Sequence, residues 1–234
     1  MVWFPIFFAI AVVVIGLLTS YALVAPGSQV LGRTLVRGDG KEPAVALTFD
    51  DGPGEATPAI LDVLKRTGIR ATFFLCAQNV ERYPELARRI AAEGHEIGNH
   101  TYSHPNLFWK SPGKIAWEIQ QAQRVIEQHT GRRPSVFRPP YGVRWFGLFP
   151  ILATHGLKTV MWSVSGVDWK WPAERIVRRV VERTRPGSII LLHDGVPQKE
   201  GGNRAATAQA LPEIVRSLGE RFRFVAVSEM MGPV

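Results

Sequence analysis

The stretch Val45-Ala46-Leu47-Thr48-Phe49-Asp50-Asp51-Gly52-Pro53 ends an apolar run on two adjacent carboxylates and closes it with a turn dipeptide. A short apolar run bounded by Gly and Pro reads as a buried strand. Ionised carboxylates lose much of their hydration on burial, so something positive belongs beside this pair. The chain offers His100 and His104 to hold a metal ion, and Arg138 for a salt bridge.

Outward from this strand the pattern alternates to the C-terminus. Thr57-Pro58 reads as an N-cap followed by proline, with Ile60, Leu61 and Leu64 at helical spacing until Gly68. Further strands are predicted at 71–75, 96–99, 136–138, 159–164, 188–192 and 222–227, and a short one at 34–36. Helices are predicted at 84–93, 112–130, 148–155, 174–184 and 207–218. Strand and helix in alternation argue for a parallel α/β sheet covered by helices, either a barrel or a doubly wound sheet.

Upstream, residues 2–25 carry no charged side chain and exceed the roughly 20 apolar residues that cross a bilayer. No Lys or Arg precedes the run, and its length favours a membrane span over a signal peptide, although Ser20 and Ala22 provide a small-x-small pair. Residues 1–25 are therefore expected to be a transmembrane helix or signal anchor, 26–43 a linker with a short strand, and 44–234 one domain. The formal charge of +8 is spread over helical segments with no Lys/Arg block, which argues against nucleic acid and suits anionic headgroups or an acidic wall polymer. Cys76, alone of its kind and set in an apolar run, reads as a small core residue.

The polar residues at or just past predicted strand ends are Asp50, Asp51, His100, Arg138, Asp168 and His193, and that end of a parallel sheet is where sites are built. In His100-Thr101-Tyr102-Ser103-His104 two imidazoles stand four apart, which in a helical turn brings them to one side. With Asp51 they form a two-His-one-carboxylate set suited to zinc or another divalent first-row ion, leaving Asp50 free as general base.

Five segments, TFDDGP, HTYSH, Arg138-Pro139-Pro140-Tyr141-Gly142, Val167-Asp168-Trp169 and Ile190-Leu191-Leu192-His193-Asp194, occur in an order that resembles the polysaccharide deacetylases of carbohydrate esterase family 4, the NodB-homology domain. The resemblance runs from about Val45 to the C-terminus and implies a distorted (β/α) barrel with about seven parallel strands. It implies Asp50 as catalytic base, Arg138 as its charge partner, and Asp51, His100 and His104 as ligands of one divalent ion, zinc by preference. His193 is then the catalytic acid, Asp168 its partner, and the Tyr141 backbone N–H an oxyanion donor. Trp169 is expected to wall the substrate groove and Leu192 to line the acetyl pocket. Ser163-Val164-Ser165-Gly166 departs from the family pattern, which often carries a further Asp and Ser here, and this bears on substrate preference.

The implied reaction is removal of N-acetyl groups from amino sugars of an envelope polysaccharide, by a domain tethered to the membrane and facing away from the cytoplasm. Arg33, Arg37 and Lys41, just after the apolar run, point the other way by the positive-inside rule. Two rivals are a metal-dependent amidohydrolase acting on non-sugar acyl amides and a catalytically silent, membrane-tethered glycan-binding protein. Against the second, none of Asp50, Asp51, His100, His104 and His193 is lost.

Overall fold

The computed structural model describes residues 3–145 and 147–231; the first two residues of the expected span and the last three of the domain lie outside the described residues. Helix α1 (Trp3–Val24) and strand β1 (Thr34–Leu35) precede the central strand β2 (Ala44–Asp50). Then follow α2 (Thr57–Thr67), β3 (Thr72–Leu75), α3 (Ala77–Arg82), α4 (Pro84–Ala92) and β4 (Glu96–Asn99). The second half runs α5 (Pro112–Thr130), β5 (Val136–Phe137), α6 (Leu148–Thr154), β6 (Lys158–Val160) and β7 (Val164–Ser165). It ends with α7 (Ala173–Arg183), β8 (Ile189–His193), α8 (Ala205–Gly219) and β9 (Arg223–Phe224).

The strands form one sheet in the order β1-β6-β5-β4-β3-β2-β8-β7, with β9 beside the start of β2, and every strand pair is parallel. Strands β2 to β6 advance in one direction, as in a barrel, and residues 158–165 pair first with β5 and then with β8. The sheet therefore curls into a half-barrel, which resolves the alternative of a doubly wound sheet. Nine strand segments stand where seven were expected, because 159–164 is broken in two and the short strand at β1 joins the sheet.

Alternation along β2 separates the two layers. Val45, Leu47 and Phe49 join Ile60, Leu61, Leu64 and Ile214 in the core under the helices, where Phe49 stacks on Phe73 at 5.0 Å. Ala46 packs into a separate cluster with Phe74, Val160 and Ile189 on the opposite face. Helix α3 has no counterpart in the sequence pattern, because its start is held from a distance: Ala77 and Gln78 donate to the carbonyls of Thr101 and Tyr102. Thr57 is the first residue of α2 and not its N-cap; its hydroxyl donates instead to Asp194 Oδ2 at 2.6 Å.

Helix α1 stands out from the sheet with its apolar side chains exposed from Phe7 to Val24, save Ala22 and Leu23 near its end. Its last turn is tied to the domain by Arg144. The Arg144 backbone N–H donates to Leu23 O at 2.8 Å, and its guanidinium donates to the carbonyls of Ser28 and Ala25. The Arg144 backbone thus partners a last-turn carbonyl that has none within the helix, while its guanidinium holds the turn that follows α1.

Two turns that carry site residues meet backbone to backbone. A Cβ on Gly52 would lie 2.2 Å from the Asp194 carboxylate, and one on Gly195 would lie 2.6 Å from Asp51 O. Gly52→Ala is expected to cost about 1–3 kcal/mol of stability through this overpacking. Urea unfolding at an unchanged midpoint would show that the turns are not so closely packed.

Candidate active site

Adjacent strand residues point to opposite faces, yet Asp50 and Asp51 enter the same buried cup. Asp50 continues the inward register of Thr48 at the end of β2, and Asp51 follows with a left-handed φ of 70° that turns its side chain inward as well. Among the described residues, the non-glycine residues with positive φ are Asp51, Thr101, His104, Tyr141 and Val167, all in the loops at the C-terminal ends of strands. Such conformations cost of the order of 1–3 kcal/mol each and persist where surrounding contacts impose them.

Arg138, fully buried after β5, supplies the charge for Asp50. Its Nη1 donates to Asp50 Oδ1 at 2.6 Å and to Thr48 Oγ1 at 2.7 Å, while Nη2 and Nε donate to the carbonyls of Met161 and Val160. The same guanidinium lies 4.1 Å over the Phe74 ring. It thereby joins the central strand to the stretch that curls the sheet.

Asp51 faces the histidines. Its Oδ1 lies 3.3 Å from His100 Nε2 and 3.2 Å from His104 Nε2 and accepts no hydrogen bond. Burial disfavours the Asp51 carboxylate, but the contact with His100 and the positive charge of His193 more than offset this, holding its pKa below the ordinary range. The loop carrying the imidazoles is not the helical turn expected from their spacing. Thr101 and His104 are left-handed, Asn99 Oδ1 accepts from Thr101 N, and buried Glu118 of α5 accepts from Tyr102 N, Ser103 N and the Ser103 hydroxyl.

These residues fit a divalent cation. His100 Nδ1 sits 2.7 Å from Arg138 O and donates to it, which turns Nε2 toward Asp51 as the ligand nitrogen. Burial lowers the pKa of His104 to about 3, against the pull of Asp51, so this ring is neutral. Three electron-pair donors thus lie within 4.8 Å of one another in a buried site. A tetrahedral ion with bonds of about 2.0–2.1 Å sets its ligands roughly 3.3 Å apart, and the carboxylate oxygen stands near that distance from each nitrogen.

On the other wall, His193 at the end of β8 has Nδ1 2.8 Å from Asp168 Oδ1, and its backbone N–H donates to Asp168 Oδ2 at 2.7 Å. The Thr207 hydroxyl of α8 adds a third contact to Asp168 at 2.6 Å. Burial opposes a charged imidazole, but Asp168, with Asp51 and Asp50 behind it, raises the pKa of His193 to about 9.

The profile of the polysaccharide deacetylase family matches residues 37–160. A peptidoglycan-N-acetylglucosamine deacetylase of Bacillus cereus is 41% identical to 80% of this chain, covering 67% of its own length. The chain belongs to the polysaccharide deacetylase family. A chitooligosaccharide deacetylase of Azorhizobium caulinodans is 38% identical over 76% of this chain and 89% of its own. The crystal structure of a peptidoglycan N-acetylglucosamine deacetylase superposes with a TM-score of 0.81 at 38% identity, covering 86% of this chain and 94% of that one. Polysaccharide N-deacetylation is accordingly the enzyme class of this chain.

The cleft of this deacetylase brings together Asp50, Asp51, His100, His104, Tyr141, Trp169 and His193, all expected from the sequence. Leu192 does not line it. Its side chain lies in the core under the helices, and Leu191 faces the cleft, because Leu191 shares the register of Thr48 and Leu192 that of Phe49. Trp162 also lines the cleft, whereas Trp171 packs on the core and carries Arg175 at 3.9 Å over its ring. Asp194, beside the catalytic candidates in sequence, is buried under the Gly52 turn, where burial and the nearby Asp51 and Asp50 raise its pKa to about 7 against the Thr57 hydrogen bond. The deciding signals for Glu118 and Thr207 are contacts from distant helices, which no local motif carries.

His104→Ala is expected to abolish stoichiometric zinc binding, and Glu118→Ala to weaken it about 10- to 100-fold by releasing the loop. Equilibrium dialysis with metal analysis checks both. Unchanged zinc content in the His104 variant would exclude this donor set.

Proposed function

We propose that this enzyme removes N-acetyl groups from amino-sugar residues of an envelope glycan, peptidoglycan or a chitin-like oligosaccharide, releasing acetate. The observation that carries the reading is the pairing of opposite charges across one cleft, with Asp50 held by Arg138 and His193 held by Asp168. A base kept anionic and an acid kept cationic on opposite walls are what amide hydrolysis requires. The resemblance of the chain to named glycan deacetylases supports the choice of substrate.

Asp51, His100 and His104 would hold the divalent ion, zinc by preference. When bound, it supplies Lewis acidity toward water and the acetamide carbonyl. Asp50, its Oδ1 held by Arg138 and its Oδ2 3.8 Å from His100 Nε2, takes the proton of the attacking water. The Tyr141 backbone N–H, on a left-handed residue at the rim, donates to the carbonyl oxygen as charge develops there. His193 gives its proton to the amide nitrogen as the carbon–nitrogen bond breaks, leaving acetate and a free amine. Trp169, 52% exposed and edge-on to the His193 ring at 5.4 Å, offers a platform for the sugar, and Leu191 takes the methyl-pocket role. In this reading α1 spans the membrane, residues 26–43 link it to the catalytic domain from residue 44 onward, and the domain works on the extracytoplasmic side.

Acetate release from acetylated chito-oligosaccharides, peptidoglycan fragments and small acyl amides tests the substrate class; release from the small amides alone would favour the non-sugar amidohydrolase. Asp50→Asn should abolish turnover with metal retained, and loss of metal in that variant would reverse the roles of the two aspartates. His193 must be protonated to act as acid. Its raised pKa keeps the protonated form below about 9, and kcat/KM should fall as pH rises through that value. In Asp168→Asn the alkaline limb should move to lower pH, and an unmoved limb would detach it from this pair.

A further inference from the structure

The end of α1, an exposed aromatic patch and the mouth of the cleft are contiguous. Tyr141, 54% exposed, forms the rim of the cleft with its ring 4.6 Å from that of His104. Three residues on, Arg144 is 1% exposed and takes the carbonyls of Leu23, Ala25 and Ser28. Consecutive Cα atoms are about 3.8 Å apart, so the rim and the helix anchor are separated by at most about 11 Å. Beneath that rim, His104 leads within five residues to Trp109, which is 76% exposed. Phe108 packs edge-on against both Trp109 and Trp145, the residue that follows Arg144. Exposed Lys110 adjoins this patch, and exposed Val30 and Arg33 follow the end of α1. Tryptophan beside basic residues at the end of an apolar helix is the composition of a bilayer interface.

From this placement we infer that the substrate is membrane-borne, an N-acetylated oligosaccharide whose lipid carrier stays in the bilayer while its sugars enter the cleft. The inference rests on the membrane and deacetylase readings above and adds what they leave open. A flexible tether would let the cleft sample glycan far from the membrane, whereas Arg144 holds the rim close to the point where α1 emerges. The aromatic and basic patch then lies on the headgroups and sets the mouth of the cleft at the height of a lipid-linked sugar.

The test uses the full chain reconstituted in phosphatidylglycerol and phosphatidylethanolamine vesicles. Two lipid conjugates of the same chitotetraose share the membrane, one with a short spacer and one raised on twenty prolines, about 60 Å in extended form. Acetate release from the short conjugate should be at least tenfold faster. A variant combining Arg144→Ala with twenty Gly-Ser residues inserted between Gly27 and Ser28, which removes both guanidinium contacts to the end of α1, should lose that discrimination and keep its rate on free chitotetraose. Equal rates on both conjugates by the unmodified chain, or undiminished discrimination in the insertion variant, overturns the inference. Failure of the chain to float with the vesicles overturns the membrane reading, and absence of acetate from all three glycans overturns the deacetylase reading, and in either case the inference falls with it.

Discussion

The buried ion pair of Arg138 and Asp50 is the contact on which the rest of the structure depends. One guanidinium reaches the end of the central strand, the Thr48 hydroxyl and two carbonyls of the stretch that curls the sheet. Removing one partner of such a pair strands a charge in a dry interior, at a cost of about 3–5 kcal/mol. The pair therefore serves folding and chemistry together. It draws the sheet into its half-barrel and holds the Asp50 carboxylate in one orientation at the floor of the cleft.

Asp51 solves a separate problem. Strand alternation would send it away from Asp50, and only a left-handed residue just past the strand brings both carboxylates into one cup. The turn that permits this is packed against the turn after β8, with Gly52 and Gly195 in close approach. The same economy recurs at Thr101, His104, Tyr141 and Val167, where left-handed backbone turns a short loop sharply enough to aim a side chain or an N–H into the cleft. Strain at these positions is stabilised from behind, by Glu118 under the histidine loop and by Thr207 under Asp168.

Two walls of the cleft carry opposite electrostatic settings within one small volume. On one, Arg138 pairs with a carboxylate beside the neutral His104; on the other, Asp168 keeps His193 protonated. Identical residue types thus take different protonation states through their partners. His104 is buried and His193 only partly exposed, and of the two only His193 has a carboxylate hydrogen-bonded to its ring nitrogen. The N-terminal helix extends this logic outward, since its last carbonyls are met by Arg144 of the rim loop and its direction is thereby coupled to the cleft.

The sequence by itself determined the alternation of strand and helix, the long apolar N-terminal run and the identity of most residues that the cleft brings together. Each rests on a local signal: hydrophobic period, turn dipeptides, or polar residues at the ends of apolar runs. Only the tertiary structure decided that Leu191 and not Leu192 faces the cleft, since a shift of one residue in register exchanges every side chain between faces. It also decided that the histidine loop is non-helical, that α3 exists, that Glu118, Thr207 and Asp194 support the site, and that Arg144 ties the rim loop to the segment after α1. Those contacts join residues 15, 39, 137 and 116 apart in the chain. They exist because the sheet curls and brings distant loops together, and nothing in the neighbouring residues records that approach.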